Sequence, residues 1–250
     1  MLNPKKQIKL LKHQELFCDN QFTILCWNVA KLTLNHEFKD YLKSIIKQEN
    51  IDILLLQEFK KQLSTEIDIG DYSHILSPNI ETKKNIFGVL NAFHFFCEKD
   101  VLLLTKKREL KYATHKSSLM TIHKMKNNKS LAIVNIHAIN FVQNSAFFNE
   151  LNYLKSNIES YEGALIVAGD FNTWNKKRVR FLKKFVDDLS LKNVSFANDS
   201  HIKKVLKNNI DYVFYRGLEV LDSKVIDSKK ISDHNPIVVH FTTLISNPTF

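Results

Sequence analysis

Apolar residues in this chain gather into short unbroken runs that stop on polar side chains. Residues 22–28 read FTILCWN and end on Asn28, 53–56 run into Gln57-Glu58, and 131–136 run into His137. The run at 165–168 passes through Gly169 to Asp170, Phe171 and Asn172. Runs this short, bounded by turn signals, are the pattern of strands buried on both faces, with the polar residues emerging at the sheet rim. Between the first two runs Phe38, Tyr41, Leu42, Ile45 and Ile46 recur at helical spacing, predicting a helix over 36–48 that Asn50 ends. Strand, helix and strand in about 35 residues make a βαβ unit with a right-handed crossover.

From 73 to 124 the helical period is lost, and β-prone runs at 86–90, 101–105 and 119–122 predict an antiparallel meander. Phe147, Leu151, Leu154 and Ile158 mark a second helix. A third, basic one spans 176–189, with Val179, Leu182 and Val186 inward and Lys176, Lys177, Arg178, Arg180, Lys183 and Lys184 mostly outward. Residues 190–209 read as a polar loop at the same rim, carrying His201, Lys203, Lys204 and Lys207. Asp211 opens a strand over 209–215, and Ser232-Asp233-His234-Asn235 precedes a last strand at 237–242. Residues 1–20 read as a polar tail ahead of one domain over 21–245.

Composition narrows the class. With 250 residues, 44% of them hydrophobic, the chain can bury one sizeable α/β core. A formal charge of +10 suits an anionic partner such as nucleic acid or acidic headgroups, although abundant Lys and Asn with few Gly also fits a base bias of the coding sequence. Cys18, Cys26 and Cys97 are odd in number and lack metal-ligand spacing, so they read as thiols in a reducing compartment. The basic N-terminal stretch has no signal-peptide apolar region and no run approaches membrane-span length, which predicts a cytoplasmic protein without an integral membrane segment.

Asn28, Glu58, His137, Asp170, Asn172, Asp211, Asp233 and His234 thus all fall at or beside strand ends. Each alone is explained by a turn or a satisfied rim histidine. Together they form a coherent set, because carboxylates and Asn suit hard cations such as Mg²⁺ while His can pass protons to phosphate oxygens.

Trp27-Asn28, Gln57-Glu58, Asn135-Ile136-His137, Gly169-Asp170-Phe171-Asn172, Ile210-Asp211-Tyr212 and Ser232-Asp233-His234 resemble, in order and spacing, the motifs of the endonuclease/exonuclease/phosphatase superfamily. The stretches 134–141 and 211–218 are similar to its bacterial YafD-like branch. The resemblance spans 22–242 and implies an α/β (α+β) fold, a four-layer α/β/β/α sandwich of two packed mixed sheets flanked by helices. It implies a Mg²⁺-dependent phosphodiesterase, with Mn²⁺ as a substitute; a monomer is expected separately. Glu58 would be the principal metal ligand, with Asn28 adjoining and Asp233 in support. Asp170, oriented by Asn172, would position or deprotonate water; His234, paired with Asp211, and His137 would contact the phosphate and share proton transfer.

The sequence departs from relatives after Gly88, where Val89-Leu90-Asn91 replaces a Ser and a basic residue, so Arg108 and Lys116 are the expected substrate-binding cations instead. Three functions follow: a nuclease on DNA or RNA, favoured by the charge; a phosphatase or phosphodiesterase on a phosphoinositide, phospholipid headgroup or small phosphate ester; and a catalytically silent binding module on the same fold.

Overall fold

The computed structural model of the chain describes residues 7–104, 116–140, 142–228 and 231–244. One sheet contains β1 (Ile8–Leu10), β2 (Gln21–Asn28), β3 (Ile53–Gln62), β4 (Ser73–Glu81), β5 (Asn85–Phe93), β14 (Leu218–Val225) and β15 (Ile237–Thr243), in the order β1-β4-β5-β3-β2-β15-β14. The other contains β6 (Cys97–Leu104), β7 (Ser117–Lys124), β8 (Ser130–His137), β9 (Ala164–Asp170), β10 (Lys192–Asn193) and β13 (Asp211–Arg216), in the order β10-β13-β9-β8-β7-β6. A hairpin of β11 (Lys204–Val205) and β12 (Asn208–Asn209) stands apart.

Each sheet has one parallel pair at its heart, β2/β3 and β8/β9, and the remaining pairings are antiparallel. The parallel pairs are joined through α1 (His36–Glu49) and α2 (Asn144–Ile158), as a βαβ unit requires. The two-residue side-chain period then builds three apolar layers. Ile24, Cys26, Ile53 and Leu55 pack between the sheets against Leu131, Ile133, Ile166 and Ala168. Leu25, Trp27, Leu54 and Leu56 point the other way and meet Phe38, Leu42 and Ile45 of α1. On the far side Ala132, Val134, Leu165 and Val167 meet α2 and α3 (Lys176–Asp188). The result is the expected α/β/β/α sandwich, and burial on both faces is why the strands are continuous apolar runs.

Helix α1 ends as expected, on Asn50 in the left-handed conformation (φ 48°). Three expectations change. Part of the tail is structured: Ile8–Leu10 pairs with β4, whose open edge offers backbone partners, and Cys18 is fully buried beside Met125. Strand β14 is an unexpected half-exposed edge strand, whose sequence LEVLDSKV alternates too weakly to announce itself. Arg178 is not on the outer face of α3 but fully buried. Among the described residues no helix is long and apolar enough to cross a membrane.

Candidate active site

The parallel pairs bring the ends of β2, β8 and β9 to one rim, together with a bulge of β3, which does not end after Glu58 as expected but continues to Gln62. In β2 and β3 the ladder runs as far as Asn28 opposite Gln57, and in β8 and β9 as far as His137 opposite Asp170, with Asp211 of β13 on the other side of Asp170. A bulge between Leu56 and Phe59 sets Glu58 in the left-handed region (φ 54°), and this local irregularity leaves its carboxylate at the cavity instead of in the core. Gly169 has φ 141°, and a Cβ there would lie 2.0 Å from the Ile136 carbonyl oxygen, so only glycine lets β9 run so close to β8 just before Asp170.

Around Asp170 the polar groups are closely tied. Its Oδ2 accepts from Asn28 Nδ2 at 3.1 Å and its Oδ1 from the Asn172 backbone N–H at 2.9 Å. Asn172 in turn donates from Nδ2 to the Ala138 carbonyl at 3.0 Å. His234 Nδ1 lies 2.7 Å from Asp211 Oδ2, and both side chains are buried. The loop carrying His234 is pinned to β2: Trp27 Nε1 donates to the His234 carbonyl at 2.9 Å and Ser232 Oγ to the Asn28 carbonyl at 2.9 Å. His137 Nε2 sits 3.6 Å from Glu58 Oε1, 3.8 Å from Asp170 Oδ2 and 2.8 Å from Lys116 Nζ.

These surroundings separate the two histidines. Burial and the neighbouring charges of Lys116, His234 and Lys31 hold His137 well below the ordinary imidazole range. It is therefore neutral near pH 7 and accepts from the Lys116 ammonium. Burial also opposes charge on His234, but the Asp211 carboxylate, by charge and hydrogen bond, outweighs it with help from Asp170 and Asp233 and raises His234 to about 9. Burial and the nearby Asp211 push Asp170 up to about 6.

Asn28, Glu58, Lys116, His137, Asp170, Asn172, Asp233 and His234 line one cavity of about 820 Å³, and Asp211 stands behind His234. Asp233 is at the outer lip, paired with Lys203 at 3.0 Å. Arg108 lies outside the described residues. The cationic segment 176–184 contributes nothing to its lining, whereas Lys203 of the 201–207 segment does. Lys31, Asn140, Trp174, Val205 and Ile210 line it too. Lys31, 3.2 Å from Glu58, is a cavity cation marked in the sequence only by its place three residues after Asn28.

Arg178 explains why the loops hold their places. Its guanidinium donates to the carbonyls of Ile139, Asn172 and Val142 at 3.0, 2.9 and 3.1 Å, joining the loop after β8 to the loop after β9. Phe147 and Trp174 cover it at 4.5 and 4.9 Å. Its one early sign was its place three residues after Asn175, the helix N-cap, directly behind the site loop.

The architecture is a two-sheet α/β sandwich with carboxylates and amides gathered at the rim where both parallel strand pairs meet, beside an Asp211–His234 pair. The family model described as Endonuclease/Exonuclease/phosphatase family matches residues 25–234, and the chain belongs to that family. A UPF0294 protein of Klebsiella pneumoniae is 31% identical over 235 residues, which span 91% of this chain and 84% of the relative. Among solved structures, an endonuclease/exonuclease/phosphatase family protein from Leptotrichia buccalis superposes with a TM-score of 0.66 at 18% identity, over 87% of this chain and 98% of its own. The human Nocturnin catalytic domain, solved with a bound sulfate anion, gives 0.64 at 17% identity over 95% and 97%. Enzymes of the family are hydrolases of phosphoesters, nucleases or phosphatases.

Proposed function

We propose that this chain is a Mg²⁺-dependent phosphodiesterase that hydrolyses nucleic acid. The observation that carries the reading is the pairing, across one cavity, of a neutral His137 with a charged His234–Asp211 couple, on either side of a doubly hydrogen-bonded Asp170. His234 holds a proton it can donate, and Asp211 fixes which ring nitrogen carries the bond. Asp170, fixed by Asn28 and Asn172, is the acceptor that orients water and takes its proton. Lys116 and His137 face the position of a phosphate oxygen.

The donor set fits a hard cation. Glu58 with the adjoining Asn28 would hold it through oxygen, and Asp233 would support it from the lip. Bound there, Mg²⁺ supplies neutralisation of the phosphate charge. The nearby Asp170–Asp211–His234 group also has ligand-type atoms within 4.8 Å of one another, and with His234 Nδ1 engaged by Asp211 at 2.7 Å it serves in this reading for proton transfer.

Lys31, Lys116 and Lys203 in the lining and the +10 charge support a polyanion as substrate, and the free cysteines support a cytoplasmic site of action. The test is hydrolysis of single-stranded DNA, structured RNA and a phosphoinositide panel side by side with Mg²⁺. Cleavage of nucleic acid that Asp170→Ala and His234→Ala each reduce at least about a hundredfold is expected. Phosphate release from the lipid panel alone would move the activity to the phosphatase side of the family.

A further inference from the structure

One side of the cavity is built differently from the phosphate side. Trp174 lines it, half-buried, two residues past Asn172. One face of its ring is covered by the Arg178 guanidinium. Its indole N–H is buried without a partner among the described residues, so the ring offers the cavity carbon surface and not a hydrogen bond. The β11–β12 hairpin is moored to this spot: Asn208 Nδ2 donates to the Trp174 carbonyl at 3.1 Å and Thr173 Oγ1 to the Asn209 carbonyl at 2.7 Å. From the hairpin Val205 completes an apolar wall, with Lys203 beside it. At the tip Leu206 and Lys207 both adopt left-handed backbone (φ 48° and 71°), and Leu206 is 76% exposed, more than any other large apolar residue described. Neither residue is a glycine or asparagine that would take that conformation freely, so the turn holds a strained Leu out in water.

We propose that Trp174, Val205 and Leu206 form a subsite for an unpaired nucleobase beside the phosphate site, so that the substrate is a phosphodiester carrying an exposed base. This rests on the phosphodiesterase reading. A planar aromatic ring and an aliphatic wall match the flat apolar faces that every base presents, and Lys203 lies where the attached backbone charge would pass. The guanidinium under the indole also selects. A cation already on one ring face draws electron density away from the other, which favours a neutral aromatic base and disfavours a second cation such as a quaternary ammonium headgroup. Leu206, exposed on the hairpin turn next to the lining residue Val205, suits a wedge between neighbouring bases.

Trp27, the other tryptophan, is buried but bonded to the His234 carbonyl at 2.9 Å, so the emission change assigned to Trp174 is the part that Trp174→Phe removes. The full-length Asp170→Ala protein, with Mg²⁺, is titrated with an eight-nucleotide single-stranded DNA, the same strand with every base replaced by hydrogen, thymidine monophosphate, and phosphoinositide vesicles. The base-bearing strand is expected to quench emission and to bind at least about tenfold tighter than the abasic strand. Adding Trp174→Ala should erase that ratio while leaving abasic binding unchanged, and Trp174→Phe, which keeps an aromatic ring and controls for folding, should retain most of it. The monophosphate separates free nucleotide from polymer: a Trp174-dependent preference confined to the strand supports a phosphodiester substrate, and one shared equally by the monophosphate, a monoester, would overturn it. Equal binding of the two strands, a ratio that survives Trp174→Ala, or quenching by vesicles that matches the strand would overturn the subsite. Wild-type hydrolysis of the base-bearing strand tests the phosphodiesterase reading separately, and its absence leaves the base preference to be judged on binding alone.

Discussion

His137 and His234 face the same cavity from opposite sheets, yet they differ in charge near neutral pH because of what stands beside them. Lys116 is 2.8 Å from one and Asp211 is 2.7 Å from the other. The Asp211 contact carries a stability consequence with a definite sign. His234 titrates at about 9 in the folded chain against 6.5 for a free imidazole, so the pair's contribution is complete below about pH 6.5 and is lost as pH rises through about 9. Its full size is on the order of 3 kcal/mol. In metal-free protein, NMR titration of His234 should show this raised value, and Asp211→Asn should bring it down toward 6.5 with a matching loss of unfolding free energy at pH 6 that vanishes by pH 10. A His234 titration unmoved by the substitution would mean that Asp211 is not its main partner.

At the scale of elements, the site is a set of strand endings, and their precision comes from backbone detail. Gly169 shows this most sharply, because a Cβ there meets a carbonyl oxygen of the neighbouring strand at 2.0 Å. Gly169→Ala should cost about 4 kcal/mol or more in chemical denaturation. Gly70→Ala offers the contrast: its φ is also positive, at 69°, but nothing lies within 4 Å of the added carbon, so about 1 kcal/mol is expected. Near-equal losses would show that the tight β8–β9 approach is not what demands glycine at 169. The endings at Asn28, His137 and Asp170 were legible in the sequence because there the apolar run and the strand stop together, whereas β3 continues past its run to Gln62 and Glu58 sits at the bulge within it. Less was legible where the determining partner is distant. Arg178 reads as one more surface cation of a basic helix, and only the carbonyls of Ile139, Val142 and Asn172, brought in by two other loops, make it a buried tie. Ile8–Leu10 reads as tail until the open edge of β4 supplies its partner.

The whole molecule contributes the meeting of two halves. Each sheet supplies a strand–helix–strand unit with functional groups at its rim, and the cavity exists only because the sheets pack in fixed register. A buried amide pair helps set that register: Gln57 Nε2 donates to Asn135 Oδ1 at 2.7 Å across the interface, one residue before Glu58 and two before His137. The charge is not spent evenly either. The lysines of α3 face away from the cavity, while Lys31, Lys116 and Lys203 from three separate segments converge on it. On the proposed function, Glu58, at the junction of the halves, is the point where a divalent ion would join the protein. Hydrolysis of a single-stranded oligonucleotide as a function of Mg²⁺ concentration tests this most directly, in wild type and in Glu58→Gln. The rate should vanish with EDTA, return with added Mg²⁺, and in Glu58→Gln require at least about tenfold more Mg²⁺ for half its maximum. Full activity in EDTA, or a Glu58→Gln curve that superposes on wild type, would contradict it.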